Sequence, residues 1–418
     1  MKNLIRTGKV LLTLFSLGLP LFMLSTSWIL ERWPALLFDT AALSAAGVVF
    51  VCYAIRPFEL RLHWSLAAPL LAAGIGFLQI QTGATVNPNA TLLITFDWMG
   101  LAAIYFLLLQ FFALGPGLIR NFPVSAMSFS MFYSVYAVIQ WFTSHGRIFW
   151  SFPNAVGVDH VLGTILNRNH YAAFIELFLP AVFWYFLESP RRRPHAAIVS
   201  GVLFASIVAS TSRGGFAVAI VELVVVYLLH RYWDARQYAG AGQKAGAGQK
   251  EGSDSSKWYV GGAVVALIVF TVAIGIGPLQ ERLLGPRASE FLADYGQSRW
   301  EYNEASVQMI HARPVLGFGF GAWPEIYPAY GSFDSAETHV NHAHNDPLEW
   351  LSEGGLIFLI PLTILVAVCV RTGFEQPWAL GPVGVLIHSL VDFPLQKPAI
   401  FASLLVFVAA GVERSRRS

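Results

Sequence analysis

Three histidines fall within six positions of this chain, in the run His339-Val340-Asn341-His342-Ala343-His344-Asn345-Asp346. Imidazole is the side chain whose ordinary pKa lies nearest neutrality, so such a run can take a proton from a hydroxyl and release it again. A helix N-cap at Asn345 and Asp346 ahead of Pro347, or a hydrogen-bonded loop brace, would explain those two residues but not three imidazoles. A second set is cationic. Arg168 lies in Asn167-Arg168-Asn169-His170, Arg213 in Ser212-Arg213-Gly214-Gly215, and Arg299 precedes Trp300. A guanidinium fork grips phosphate oxygens through parallel charge-assisted bonds, and a helix beginning beside it adds backbone N–H donors. The competing reading is that each arginine caps a helix or anchors it at headgroup depth. Arg213, in a turn with two glycines that admit a close ligand, favours binding.

Two other motifs point less far. His342-x-His344-x-Asp346 opens like a zinc-hydrolase pattern, but Pro347 stands where the next ligand belongs and no further ligand cluster follows, so no metal is expected. Gly317-Phe318-Gly319-Phe320-Gly321 is followed by Ala322-Trp323-Pro324 where a nucleotide-binding helix should start, and it reads as a tight turn.

The elements that must hold these residues are set by composition. Of 418 residues, 55% are hydrophobic and 12% charged, with mean hydropathy +0.56. Soluble domains carry about a quarter charged residues, so this is an all-α integral membrane protein and not an ordinary globular enzyme. The near-balanced charge of +2 does not suggest a nucleic-acid partner. Apolar runs predict about twelve transmembrane helices, near 10–30, 35–55, 64–81, 91–114, 122–143, 170–187, 196–211, 213–230, 258–277, 349–370, 378–391 and 398–412. The first, after Lys2, Arg6 and Lys9, reads as an uncleaved helix.

Most Lys and Arg fall in alternate connections, which makes both termini cytoplasmic and puts the histidine run on the periplasmic side. The predicted organisation is a membrane segment 1–277 with a flexible linker at 234–257, a periplasmic loop 278–345 containing a helix near 297–312, and a membrane segment 346–418. The linker repeats Ala-Gly-Ala-Gly-Gln-Lys at 239–244 and 245–250 and has nothing to bury. Cys52 and Cys369 are expected as buried small hydrophobes. Asp97, Glu176, Glu222, Glu349, Glu353 and Asp392 should face the bundle interior, with Glu176 and Glu222 paired to the periplasmic arginines. Trp28, Trp33, Trp141, Trp150, Trp323 and Trp350 read as an interfacial belt.

From Asn167 onward, the ordered motifs Asn167–Ala172, Ser212–Gly215, Arg299-Trp300, Pro314–Gly319, His342–Glu349 and His388–Pro394 resemble the O-antigen ligase and polymerase superfamily of bacterial membrane glycan transferases. The resemblance implies transfer of a glycan from an undecaprenyl pyrophosphate donor to the lipid A-core of lipopolysaccharide, at the periplasmic face of the inner membrane and without metal or cofactor. It makes His344 the general base, with His339 or His342 orienting it or binding the acceptor. Arg213 and Arg299, with Arg168 nearby, would bind pyrophosphate, with Asn345 and Asn169 in support. The ligase pattern places Gly, Thr or Tyr three residues after Gly355, and Phe358 stands there instead, which leaves polymerases and protein O-oligosaccharyltransferases as alternatives. A lipid-linked glycan transporter is a further class, but it predicts polar residues at midplane and internal repeats.

Overall fold

A computed structural model describes residues 2–155, 157, 161–188, 193–241, 288–331 and 340–417. The chain is helical almost throughout, the exception being a two-strand hairpin pairing Arg147–Ile148 with Phe152–Pro153. The helices are α1 (Lys2–Ser25), α2 (Trp33–Ile55), α3 (Ala67–Thr82), α4 (Pro88–Ala113), α5 (Pro116–Thr143), α6 (Arg168–Glu176), α7 (Leu179–Glu188), α8 (Arg193–Ala209), α9 (Arg213–Ala241), α10 (Ala288–Ala312), α11 (Trp323–Ile326), α12 (Asp346–Gly354), α13 (Leu359–Glu375), α14 (Gly381–His388) and α15 (Pro398–Ser415).

Among the described residues, nine helical stretches are long and apolar enough to cross a membrane. The sequence expected about twelve. The stretch predicted at 258–277 lies outside the described residues, as do most of the linker repeats and His339. Two other expected spans differ in the structure. Arg193–Ala209 is a shorter apolar helix of 17 residues, and the run at 378–391 yields only the eight-residue α14.

Helix α4 forms one centre of the bundle. It packs on α1, α2, α3 and α15, and every residue from Gly100 to Phe112 is buried. A helix apolar on all faces belongs inside such a bundle. Around the second centre, α7 packs against α5, α8 and α9. Side chains that turn outward include Phe50, Val51, Phe132 and Leu228, an apolar exterior suited to lipid. Cys52 also faces outward, contrary to expectation, whereas Cys369 is buried.

Two breaks in predicted spans shape the site. Pro180 cannot donate to the Glu176 carbonyl four residues back, and the helix parts there into α6 and α7. The expected 349–370 span likewise divides at Gly355 into α12 and α13. The loop preceding α12 is strapped to the bundle. Gln79 Nε2 donates to the carbonyls of Leu316 (2.6 Å) and Glu353 (2.7 Å), and Gly319 N donates to the latter at 2.9 Å. Gly317, at φ +62°, lies so close that a Cβ would sit 2.3 Å from that carbonyl oxygen. The glycine-rich segment is therefore a packed turn, as its sequence suggested. Trp323 and Trp350, expected at an interface, are buried. Trp323 donates to Ser306 Oγ (2.9 Å) and to Glu353 Oε1 through its backbone N–H (3.0 Å), so these rings join loop to bundle.

Candidate active site

The site forms where the loop returns to the membrane. Asn345 caps α12, its Oδ1 accepting from Leu348 N at 3.1 Å, and Pro347 occupies the first turn, where its missing N–H has no consequence. The N-cap reading of Asn345 thus holds. Its amide also donates to Leu390 O at 3.0 Å, and Asp346 N donates to Ser389 O at 3.0 Å, tying α12 to the end of α14. The residue before the cap, His344, sits at φ +53°, a left-handed conformation uncommon for a side-chain-bearing residue and found where surroundings over-determine it.

What over-determines it is Asp392, in the turn between α14 and α15. His344 Nδ1 lies 3.1 Å from Asp392 Oδ1. Around the same carboxylate, Asn169 Nδ2 donates at 2.5 Å, Phe393 N at 2.9 Å and Arg299 Nη2 at 3.5 Å, while His170 Nε2 is 3.8 Å away. Arg299 also donates to Val391 O at 2.5 Å. Burial alone would raise the Asp392 pKa, but the His344 bond and the neighbouring positive charge, Arg299 included, outweigh it and hold the carboxyl well below the usual carboxylate range. An ionised carboxylate only accepts, so Nδ1 of His344 carries a proton, and in the neutral form of the ring Nε2 presents its lone pair.

Beside this pair stands a second. His342 Nδ1 is 2.8 Å from Glu349 Oε1, whose other oxygen accepts from Ala343 N at 2.7 Å; Gln396 donates to Oε1 at 3.2 Å. The Phe393 ring separates the two imidazoles, stacking on His342 (centroids 4.2 Å apart) and meeting His344 edge-on (4.8 Å). Lys397 Nζ lies 5.2 Å from the same ring. Its ammonium pKa is lowered by burial, against the opposing pull of Glu349, Asp346 and Asp392.

The arginines arrive from three elements. Arg299 comes from α10, Arg168 begins α6, and Arg213 begins α9. Arg168 Nη1 donates to Thr211 Oγ1 at 3.3 Å, linking the starts of α6 and α9, and Thr211 itself is at φ +56°. Below them Glu176 pairs with His388 Nδ1 at 2.9 and 3.1 Å, fully sealed from solvent. This corrects the expectation that Glu176 and Glu222 meet arginines: Glu176 takes an imidazole, and the Glu222 oxygens have no hydrogen-bond partner among the described residues.

Five of the eight residues singled out by sequence are therefore tied together directly or through one neighbour, His342, His344, Asn345, Asn169 and Arg299, while Arg168 is tied to Thr211. Arg213 shares that end of the bundle, since the following Gly214 lies beside His388. The residue that sequence reasoning left unassigned is Asp392, seen only as one carboxylate among several. Its signal was its place in His388–Pro394.

Residues 198–363 match the family model described as O-antigen ligase. The match to this segment supports placing the protein with the O-antigen ligase superfamily. The matched region carries Arg213, Arg299, His342 and His344, while Arg168, Asn169 and Asp392 lie outside it. No curated protein matches the chain. The matched segment and the apolar helices together support a multi-pass, glycan-transferring membrane enzyme.

Proposed function

We propose that this enzyme moves a glycan from undecaprenyl pyrophosphate onto the lipid A-core of lipopolysaccharide at the periplasmic face of the inner membrane, with both termini cytoplasmic. Residues 1–277 and 346–418 are then the membrane body, with 278–345 as the periplasmic loop over the site. The observation that carries the reading is the His344–Asp392 pair. With Nδ1–H engaged by Asp392, Nε2 accepts the proton of the acceptor hydroxyl as its oxygen attacks the anomeric carbon. The bond to pyrophosphate breaks, its electron pair leaves with the phosphate, and inversion results from one displacement. Asp392 stabilises the imidazolium that forms, as a carboxylate does for any histidine base it orients.

Arg213, Arg299 and Arg168 meet the charge developing on pyrophosphate, where fixed donors act most strongly. Three guanidinium groups provide that charge stabilisation, so the reading invokes no metal or cofactor. Arg299 contributes twice, since it also holds Asp392 and Val391 in place. His342, oriented by Glu349, and His339 bind or align the acceptor.

The test is deletion of the gene in its host, with the lipopolysaccharide resolved on a gel and a His344→Ala strain as companion. Bare core with long chains left on the carrier supports the ligase reading. Core bearing one repeat unit selects a polymerase, the reading favoured by Phe358, which is buried against Trp98 and Trp350 where the ligase pattern has a smaller or polar residue. An unchanged ladder overturns both.

A further inference from the structure

A polar cavity lies far from His344, at the opposite ends of α13 and α15. It encloses about 490 Å³ between the end of α13, the end of α15, the turn before α3 and Trp233 of α9. Its lining mixes apolar groups with donors, and the Glu375 carboxylate is also part of it. Arg371 and Arg416 contribute guanidinium groups. Arg371 gives Nε to Glu375 at 2.8 Å, and Arg416 gives Nη1 to Glu413 at 2.6 Å and an Nη2 hydrogen bond to Leu62 O. A guanidinium has five N–H donors, so these bonds position each group without exhausting it.

Two neutral donors complete the lining. His63 Nδ1 accepts from Ser65 N at 3.4 Å, which places the proton of a neutral ring on Nε2. Burial first, then the positive charges of Arg416 and Arg371, push the His63 pKa down to about 4, so both arginine fields converge on this wall. Trp233 Nε1 is buried and has no hydrogen-bond partner among the described residues. Trp233 lines the cavity, and an unmet indole N–H costs about 1–3 kcal/mol, which an acceptor drawn in beside the ring would recover.

We propose that this cavity binds the phosphodiester headgroup of an anionic phospholipid. Three donor groups on three walls, Arg371, Arg416 and His63, suit phosphate oxygens, and the volume lies within the ordinary range of ligand sites, roughly 300–1,000 Å³. The membrane as source follows from position. The cavity opens where spans end, at headgroup depth, and from it Phe374, Val370 and Val366 run along one face of α13, all exposed at four-residue spacing. Acyl chains fit that ridge, and inorganic phosphate would have no use for it. The site is independent of the glycan-transfer reading.

Thermal unfolding of the detergent-solubilised full chain, titrated with dioctanoyl phosphatidylglycerol, dioctanoyl phosphatidylcholine or inorganic phosphate, tests the assignment. Saturable stabilisation by phosphatidylglycerol alone is expected, since a ligand bound only to the folded state raises Tm. Arg371→Gln and Arg416→Gln should each shift its midpoint about tenfold upward through loss of a charge-assisted bond. Trp233→Phe, which keeps the ring and removes the N–H, should shift it about threefold and serves if an arginine variant fails to fold. Equal stabilisation by phosphatidylcholine, an effect of phosphate as large as that of the lipid, or a midpoint unmoved in Trp233→Phe and in every arginine variant that folds would each overturn the proposal.

Discussion

Two of the carboxylate–imidazole pairs in this molecule are nearly the same length and have opposite surroundings. His344–Asp392 (3.1 Å) leaves its imidazole 24% exposed at the loop, whereas His388–Glu176 (2.9 Å) has a side-chain exposure of 2% and 0%. A base must reach a substrate, and only the first can. The sealed pair joins α6 to α14 through groups that would be costly to leave unpaired in a bundle. The same two functional groups therefore make the proposed catalytic dyad in one place and a brace in the other, and access is what separates them.

The comparison is broken most directly by His344→Ala, which should lower glycan transfer by about 10²–10⁴-fold, the usual worth of a general base, while leaving Tm nearly unchanged. Purified protein in vesicles with a lipid-linked donor provides the assay, and a variant retaining most of its rate would return His344 to the status of a loop brace. Asp392→Asn should follow at about 10²-fold, because the imidazole loses both its orientation and the charge that stabilises its protonated form.

For the sealed pair the expected loss is in stability. Glu176→Ala should destabilise by about 3–5 kcal/mol, as removal of one partner from a buried pair does, and be seen as a lowered Tm and yield, with the surviving protein retaining its rate per folded molecule. A normal Tm with lost activity would place His388 in the chemistry. Gly215→Ala probes the same packing, since the new Cβ would lie 2.4 Å from the Ala172 Cβ; overpacking of this kind costs about 1–3 kcal/mol, measurable by the same unfolding assay.

The smallest effect concerns pH. A carboxylate whose folded pKa is depressed contributes stability that is present above its unfolded pKa, about 3.9, and lost as pH falls toward the folded value. The Tm difference between wild type and Asp392→Asn should thus stay constant from neutrality to about pH 4 and close below it. A difference that closes near pH 6 instead would mean that histidine protonation controls it.

Much of the fold was legible because membrane insertion writes itself into composition. Long apolar runs placed α2 to α4 and α15 within about three residues, while α1 and α5 start eight and six residues before the expected spans; prolines stand at the helix starts Pro88, Pro116 and Pro398. Depth within the bundle was not legible. Trp323 and Cys52 exchanged their expected places, since hydropathy says that a side chain avoids water but not whether protein or lipid surrounds it. Broken spans were also missed, because averaging over a window conceals a single Pro180 or Gly355.

In the site, residue types sufficed to nominate the histidine run, Arg213 and Arg299, since few side chains move protons or grip phosphate near neutral pH, and the family resemblance singled out His344 within that run. Sequence by itself thus determined the chemistry available and the membrane that houses it. Which carboxylate meets which imidazole was decided only by tertiary structure. His344 and Asp392 are 48 positions apart and His388 and Glu176 are 212 apart, and hydrogen bonds act over about 3 Å, a distance that only packing of the helices can set.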